Sequence, residues 1–106
     1  MPRQWITITS IDEIPEGETR TFEVGPEWIA LCKRDGQVWA VEDFCPHDTG
    51  PLGEGTLEGH EIICPRHGAR FDIRTGDVKR LPALCGIRTF PVRVVDGRVE
   101  VEIEIE

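Results

Sequence analysis

The sequence predicts an all-β protein, an antiparallel sandwich or small barrel built from short strands. Three observations support this prediction. Most of the chain consists of short segments in which apolar and polar residues alternate. Glycine-containing turns separate these segments, and no segment keeps a helical period. The length of 106 residues fits one domain, which we take to be residues 1–106.

The first half of the chain contains four predicted strands. Residues 5–9 and 19–24 alternate as strands, and residues 11–17 form a turn region between them. The next two strands flank Asp35-Gly36, which is typical of a type I′ hairpin. The predicted pairs are Lys33 with Val38, Cys32 with Trp39, and Ala30 with Val41. Cys32 then lies on an apolar face, so we expect a buried, inert thiol.

Three more hairpins are predicted in the second half. Their turns lie at Gly59, at Thr75-Gly76 and at Asp96-Gly97. Strands over residues 88–95 and 98–105 form the last hairpin. The predicted apolar pairs are Val94 with Val99, Val92 with Val101, and Phe90 with Ile103. The polar pairs are Arg93 with Glu100, Pro91 with Glu102, and Thr89 with Glu104. We therefore expect the glutamates of this hairpin to form a solvated strand face.

Two loops interrupt the strand pattern and carry metal-ligand residue types. The first, about residues 44–53, contains Cys45 and His47, and the second, about residues 64–71, contains Cys64 and His67. Each loop follows a predicted strand, so two loops at one end of a sheet could form one site. Thiolate and imidazole suit either zinc or the iron of an iron–sulfur cluster. The residue types alone do not distinguish between these two metals.

The spacing of these residues, Cys-x-His and Cys-x-x-His, resembles the motif of the Rieske family. The flanking sequences Leu52-Gly53-Glu54-Gly55 and Gly68-Ala69-Arg70-Phe71-Asp72 are also similar to that family. The likeness extends over about residues 22–103. It implies a Rieske-type sandwich or small barrel with a two-loop cluster-binding subdomain. It also implies one [2Fe–2S] cluster per chain, with two histidines and two cysteines as ligands.

By this resemblance, Cys45 and Cys64 bind one iron, and His47 and His67 bind the other. The sequence departs from the Rieske proteins of cytochrome complexes in several places. Arg66 stands where those proteins have an additional cysteine, and Ala69 and Phe71 replace a serine and a tyrosine that donate hydrogen bonds to sulfur. Alanine and phenylalanine side chains cannot donate. We therefore expect the reduction potential of this protein to be low within the range of the family.

The remaining residues leave no room for a catalytic iron site. His60 is the third histidine of the chain and adjoins Gly59, so we expect an exposed turn residue. The resemblance thus implies a free-standing ferredoxin, an electron-transfer protein rather than an enzyme. Its expected partners are a flavin-dependent reductase and a terminal oxygenase or another redox enzyme. A nitrite-reductase small subunit, an iron–sulfur-assembly protein and a non-redox zinc-stabilised interaction module are the alternatives.

The composition excludes several other partners. The chain has 12 Lys and Arg against 20 Asp and Glu, a net charge of −8. An acidic surface repels nucleic acid and anionic lipid, so we expect neither as a partner. No apolar run approaches a membrane span or a signal peptide. We expect a monomer in the cytoplasm, where a reducing environment favours metal binding over disulfides.

Overall fold

The computed structural model describes residues 2–44, 52–53, 55–65, 68–80 and 86–104. The described residues form eleven strands and a short 3₁₀ turn at Ile11–Glu13. The strands are β1 Arg3–Ser10, β2 Thr19–Val24, β3 Glu27–Arg34, β4 Gln37–Glu42, β5 Thr56–Glu58, β6 Glu61–Ile63, β7 Arg70–Asp72, β8 Val78–Arg80, β9 Thr89–Phe90, β10 Val92–Val95 and β11 Arg98–Glu104. Across these ranges, no helix is long and apolar enough to cross a membrane.

The strands are arranged in three antiparallel sheets. The terminal sheet has the order β1-β11-β10, and the central sheet has the order β2-β3-β4-β9. The loop sheet, so named because the two predicted ligand loops adjoin it, has the order β5-β6-β7-β8. Every described strand pair is antiparallel. The predicted all-β antiparallel architecture is therefore confirmed.

Strand β3 holds the layers together because both of its faces are buried. Ile29 and Leu31 point into one core, and Ala30 and Cys32 point into the other. The terminal-side core lies between the central and terminal sheets and includes Ile14, Val24, Ile29, Leu31, Val38, Ala40, Val99, Val101 and Ile103. The loop-side core lies between the central and loop sheets and includes Ala30, Cys32, Val41, Leu52, Ile62, Cys64, Ala69, Phe71, Ile73 and Ile87.

The predicted hairpins form, and the one at Asp35-Gly36 has the predicted register throughout. Asp35 and Gly36 have φ values of 56° and 74°, and Asp96 and Gly97 have 51° and 76°. Both residues of each turn are thus left-handed, as a type I′ turn requires. The β3–β4 pairs confirm the expected register: Lys33 with Val38, Cys32 with Trp39, and Ala30 with Val41. Hairpins around Gly59 and around Thr75-Gly76 form as well.

The last hairpin is shorter than predicted. Val92 and Val94 pair with Val101 and Val99, as expected. The expected pairs of Phe90 with Ile103 and of Thr89 with Glu104 are wrong: Phe90 pairs with Ala40 and Thr89 with Val41, in the central sheet. Pro91 explains the change, because proline interrupts a strand and cannot donate to a ladder. The segment before Pro91 therefore crosses to the neighbouring sheet.

The polar face of the terminal sheet matches its predicted character. Glu100 accepts a hydrogen bond from Arg93 at 2.6 Å, and Glu102 accepts one from Arg3 at 3.3 Å. The guanidinium of Arg93 also lies 4.3 Å from the ring centre of Trp5. Such exposed pairs contribute little stability each. The face is thus a solvated surface whose acidic side chains are partly neutralised.

We predict that Leu31→Ala destabilises the protein by about 2–5 kcal/mol, because it leaves a cavity in a fully buried strand. The matched control is Val95→Ala, since Val95 is exposed at the end of β10. Its effect should stay within about 0.5 kcal/mol. Urea unfolding of the holoprotein measures both values. Equal effects of the two substitutions would contradict the central position of β3.

Candidate metal centre

The first predicted loop begins where strand β4 leaves the central sheet. The backbone N–H of Asp43 donates to the carbonyl oxygen of Trp28 at 2.9 Å, which extends the β3–β4 ladder by one step. The Asp43 carboxylate accepts the backbone N–H of Gly53, at the far end of the loop. Asp43 is only 8% exposed. Its side chain therefore closes the base of the loop inside the protein.

The end of the first loop packs tightly against both neighbouring sheets. Leu52 is fully buried in the loop-side core. Gly53 lies so close to the side chain of Thr21 that a methyl group there would overlap the threonine hydroxyl. Gly55 lies against the carbonyl oxygen of Ile63 with the same lack of space. These glycines allow an approach that any side chain would prevent.

The second predicted loop begins at Cys64, directly after strand β6. Its backbone N–H donates to the carbonyl oxygen of Ala69 at 2.8 Å, and the N–H of Gly68 donates to the carbonyl of Cys64 at 3.1 Å. Gly68 has φ +76°, a left-handed conformation that suits glycine. Backbone hydrogen bonds thus close this loop at its base. Cys64 itself is 2% exposed and belongs to the loop-side core.

The bases of the two loops meet through Gly55 and Ile63, because Ile63 immediately precedes Cys64. Of the four predicted ligands, the structure describes Cys64. Cys45, His47 and His67 lie outside the described residues, as does Arg66. Among the residues that are described, no three His, Cys, Asp or Glu side chains form a metal-binding group.

The described part of the site fits a group held by thiolate and imidazole. The Cys64 thiol is enclosed by apolar neighbours, including Ala69 and Phe71. A thiolate buried there needs a positive partner, and a metal ion supplies one. The short, glycine-rich contacts around Gly53 and Gly55 hold the loop bases close together. A compact two-loop site can therefore form at this edge of the loop-side core.

Cys32 is the other described cysteine, and it is not one of the predicted metal ligands. It is fully buried in β3, and its thiol lies 3.6 Å from the hydroxyl oxygen of Thr19. Burial raises the pKa of the Cys32 thiol to about 12. The thiol is thus neutral at physiological pH. The expected buried thiol is confirmed.

His60 has a different environment from the one predicted. We expected an exposed turn residue, but His60 is half-buried. Its ring meets the ring of Trp39 edge-on, with centroids 5.4 Å apart and an interplanar angle of 88°. The carbonyl of His60 accepts the N–H of Ile73 at 2.9 Å. His60 therefore joins the central and loop sheets, and Trp39 packs against the loop-side core.

Asp43 and Thr21 are residues of the site that the sequence did not reveal. One signal was present, because Asp43 is a carboxylate that directly follows a largely apolar strand and lies two positions before Cys45. Acidic residues seldom lie fully inside a protein without a specific contact. The contact with Gly53, ten positions away, was not visible in the sequence.

Comparisons with known proteins agree with this geometry. A family model described as the Rieske [2Fe-2S] domain matches residues 4–91. The ferredoxin component of naphthalene 1,2-dioxygenase/salicylate 5-hydroxylase systems from Ralstonia is 36% identical over 104 residues, which cover 98% of this chain and 100% of that protein. The similarity therefore spans the whole described fold and both loops.

Solved structures show the same architecture. The ferredoxin of carbazole 1,9a-dioxygenase from Nocardioides aromaticivorans has a TM-score of 0.89 at 27% identity, covering 92% of this chain and 96% of that one. A chain from a complex of reduced oxygenase and oxidized ferredoxin in carbazole 1,9a-dioxygenase has a TM-score of 0.85 at 34% identity. That match covers 92% of this chain and 91% of the other.

We predict that Cys32 in the native protein does not react with iodoacetamide at pH 8, since the thiol is buried and its pKa is about 12. The same residue should react fully in urea. Mass spectrometry of the digested protein measures labelling at Cys32 alone, whatever happens at the other cysteines. Fast labelling in the folded state would show that this part of the central sheet opens.

Proposed function

The chain belongs to the Rieske [2Fe–2S] family, and from this membership we propose that it carries single electrons from a flavin-dependent reductase to a terminal oxygenase. It is an electron-transfer protein with a [2Fe–2S] cluster rather than an enzyme. The observation that carries the partner proposal is the full-length similarity to a ferredoxin component of dioxygenase systems. When bound, the cluster takes up and releases one electron.

We propose Cys45, His47, Cys64 and His67 as the ligands of this cluster. Their Cys-x-His and Cys-x-x-His spacing supports the assignment. The burial of Cys64 and the contact between the two loop bases support it as well. Thiolates neutralise part of the iron charge, whereas neutral imidazoles leave their iron easier to reduce. The mixed ligand set is therefore better suited to an electron carrier than to a structural zinc site.

The surroundings of Cys64 favour a low potential. Ala69 and Phe71 are both fully buried beside Cys64, and neither side chain carries a hydrogen-bond donor. A reduced cluster has one more negative charge than an oxidised one. Without donors from these two positions, the reduced form gains less stabilisation. We therefore place the midpoint low in the family range of about −150 to +300 mV.

The partners follow from the proteins to which the chain is similar. One solved relative is a ferredoxin in a complex with the oxygenase of carbazole 1,9a-dioxygenase, which favours an oxygenase as the electron acceptor here. A flavin-dependent reductase is the matching donor. The proposal includes a monomeric carrier in the cytoplasm, where reducing conditions keep a thiol such as Cys32 unoxidised. Size-exclusion chromatography with light scattering tests the monomer.

The proposed function predicts a characteristic electron paramagnetic resonance spectrum after dithionite reduction. We expect a spin-half signal with a low average g, and about two iron and two sulfide per chain, as a mixed-ligand cluster requires. In a second assay, the protein should support oxygenase turnover when a flavin-dependent reductase is present and lose this ability without its iron. A silent spectrum with bound zinc would contradict the electron-carrier function.

The ligand assignment predicts that substitution of a proposed ligand removes the cluster, whereas substitution of another cysteine or histidine does not. Cys64→Ser and His67→Ala should lose most of the iron and the visible absorption, because each removes a ligand. Cys32→Ser and His60→Gln are the controls, since both residues have structural contacts instead. The controls should retain the cluster at near wild-type iron content. Retention of a native cluster in Cys64→Ser would disprove that ligand.

The potential should rise when a donor is introduced next to Cys64. Ala69→Ser adds a hydroxyl at a buried position, and a hydrogen bond to a cluster sulfur would stabilise the reduced form. Ala69→Val is the control for added bulk, because it fills more space than serine and carries no donor. Redox titration should give a higher midpoint for the serine variant only. A wild-type midpoint above about +100 mV, within the family range, would refute the low-potential proposal.

A further inference from the structure

Asp43 is an unusual residue because a buried carboxylate is costly. Two aspartates are buried in the described structure, Asp43 at 8% and Asp72 at 6% exposure. Asp72 binds the guanidinium of Arg74 with both carboxylate oxygens, at 3.1 and 3.0 Å. Asp43 instead accepts the backbone N–H of Gly53. Burying a carboxylate is tolerated only where its contacts offset the lost hydration. The Gly53 contact is therefore a specific feature of this site.

The hydrogen bond from Gly53 to Asp43 closes the first loop into a ring. The two residues are ten positions apart, and Cys45 and His47 lie between them. On its other side, Asp43 is fixed by its backbone hydrogen bond to Trp28 at 2.9 Å. The ring is thus anchored to the end of the central sheet. Movement of Gly53 away from the sheet requires the breaking of this bond.

The two loops are closed in different ways. Backbone groups alone connect Cys64 with Ala69 and Gly68 at the second loop. The bond across the first loop uses the Asp43 side chain, so it can be removed by substitution without changing the backbone. Thr21 packs against Gly53 and keeps it within reach of the carboxylate. The hydrogen bond that closes the first loop can therefore be tested directly by substitution of Asp43.

We propose that Asp43 is a positioning residue that latches the first loop and so holds Cys45 and His47 ready for the cluster. The inference rests on the proposed function, because it takes these two residues as ligands. The latch acts through its hydrogen-bond acceptor, Oδ1, and not through a general effect on stability. It slows the release of the cluster by keeping Gly53, at the end of the loop, bound to the end of the central sheet.

The experiment measures cluster release from the holoprotein by a chelator, followed by the loss of visible absorption. Asp43→Ala removes the acceptor and should accelerate release about tenfold or more. Asp43→Asn keeps an amide oxygen that can accept the same N–H, so its release should stay within about threefold of wild type. Asp72→Ala is the control for the loss of a buried carboxylate elsewhere, and should change release by no more than about threefold.

A second readout reports the loop directly. Hydrogen exchange of the peptide that contains Gly53 should be faster in Asp43→Ala than in wild type and Asp43→Asn, because the amide loses its acceptor. Should Asp43→Ala fail to fold, Gly53→Ala supplies the test, since its methyl group would overlap Thr21 and open the same latch. It should also accelerate release about tenfold.

Two results would overturn the proposal. The first is a release rate for Asp43→Ala that matches that of the Asp72→Ala control. The second is equally fast release from Asp43→Asn and Asp43→Ala, which would show that the negative charge, and not the hydrogen-bond acceptor, controls the release rate. The wild-type spectrum separates these results from a failure of the proposed function. A native mixed-ligand signal with unchanged release in Asp43→Ala rejects the latch alone. Absence of that signal in wild type rejects the function itself.

Discussion

The pairing register of β3 is the constraint on which the remaining structure depends. Because both faces of this strand are buried, its odd and even residues supply different cores. A shift by one residue would move Ile29 and Leu31 into the loop-side core and remove them from the terminal-side core. The same register places Trp28 opposite Asp43 and so determines where the chain leaves the central sheet. The candidate site begins at that point.

The loops depend on this scaffold through contacts that involve few atoms. Gly53 and Gly55 fit against Thr21 and Ile63, where there is no space for a larger residue. Close-packed protein interiors have low compressibility and change little in shape. For an electron carrier, such a base is useful because a single electron then causes little rearrangement. The site gains its rigidity from the sheets and leaves the chemistry to the loop residues.

The sequence predicted the strands well where local signals determine the structure. Turns such as Asp35-Gly36 require a left-handed backbone and alternating neighbours, and both signals are local. The error at Phe90 arose because alternation continues through Pro91, although the strand changes sheets there. His60 was misjudged because its contact with Trp39 joins two sheets. The role of Asp43 was also hidden, since its partner lies across a loop whose closure depends on the tertiary fold.

The position of the two chain ends has a practical consequence. Arg3 pairs with Glu104, so the described chain begins and ends on adjacent strands, at the same end of the terminal sheet. This sheet and the loop sheet cover opposite faces of the central sheet. A tag or a linker that continues either strand would nevertheless leave the sheet beside the ion pair of Arg88 and Glu27, at the end of the central sheet where the first loop begins. A fusion partner joined at either end would thus start from nearly the same position, and a long linker is needed to keep it away from the candidate site.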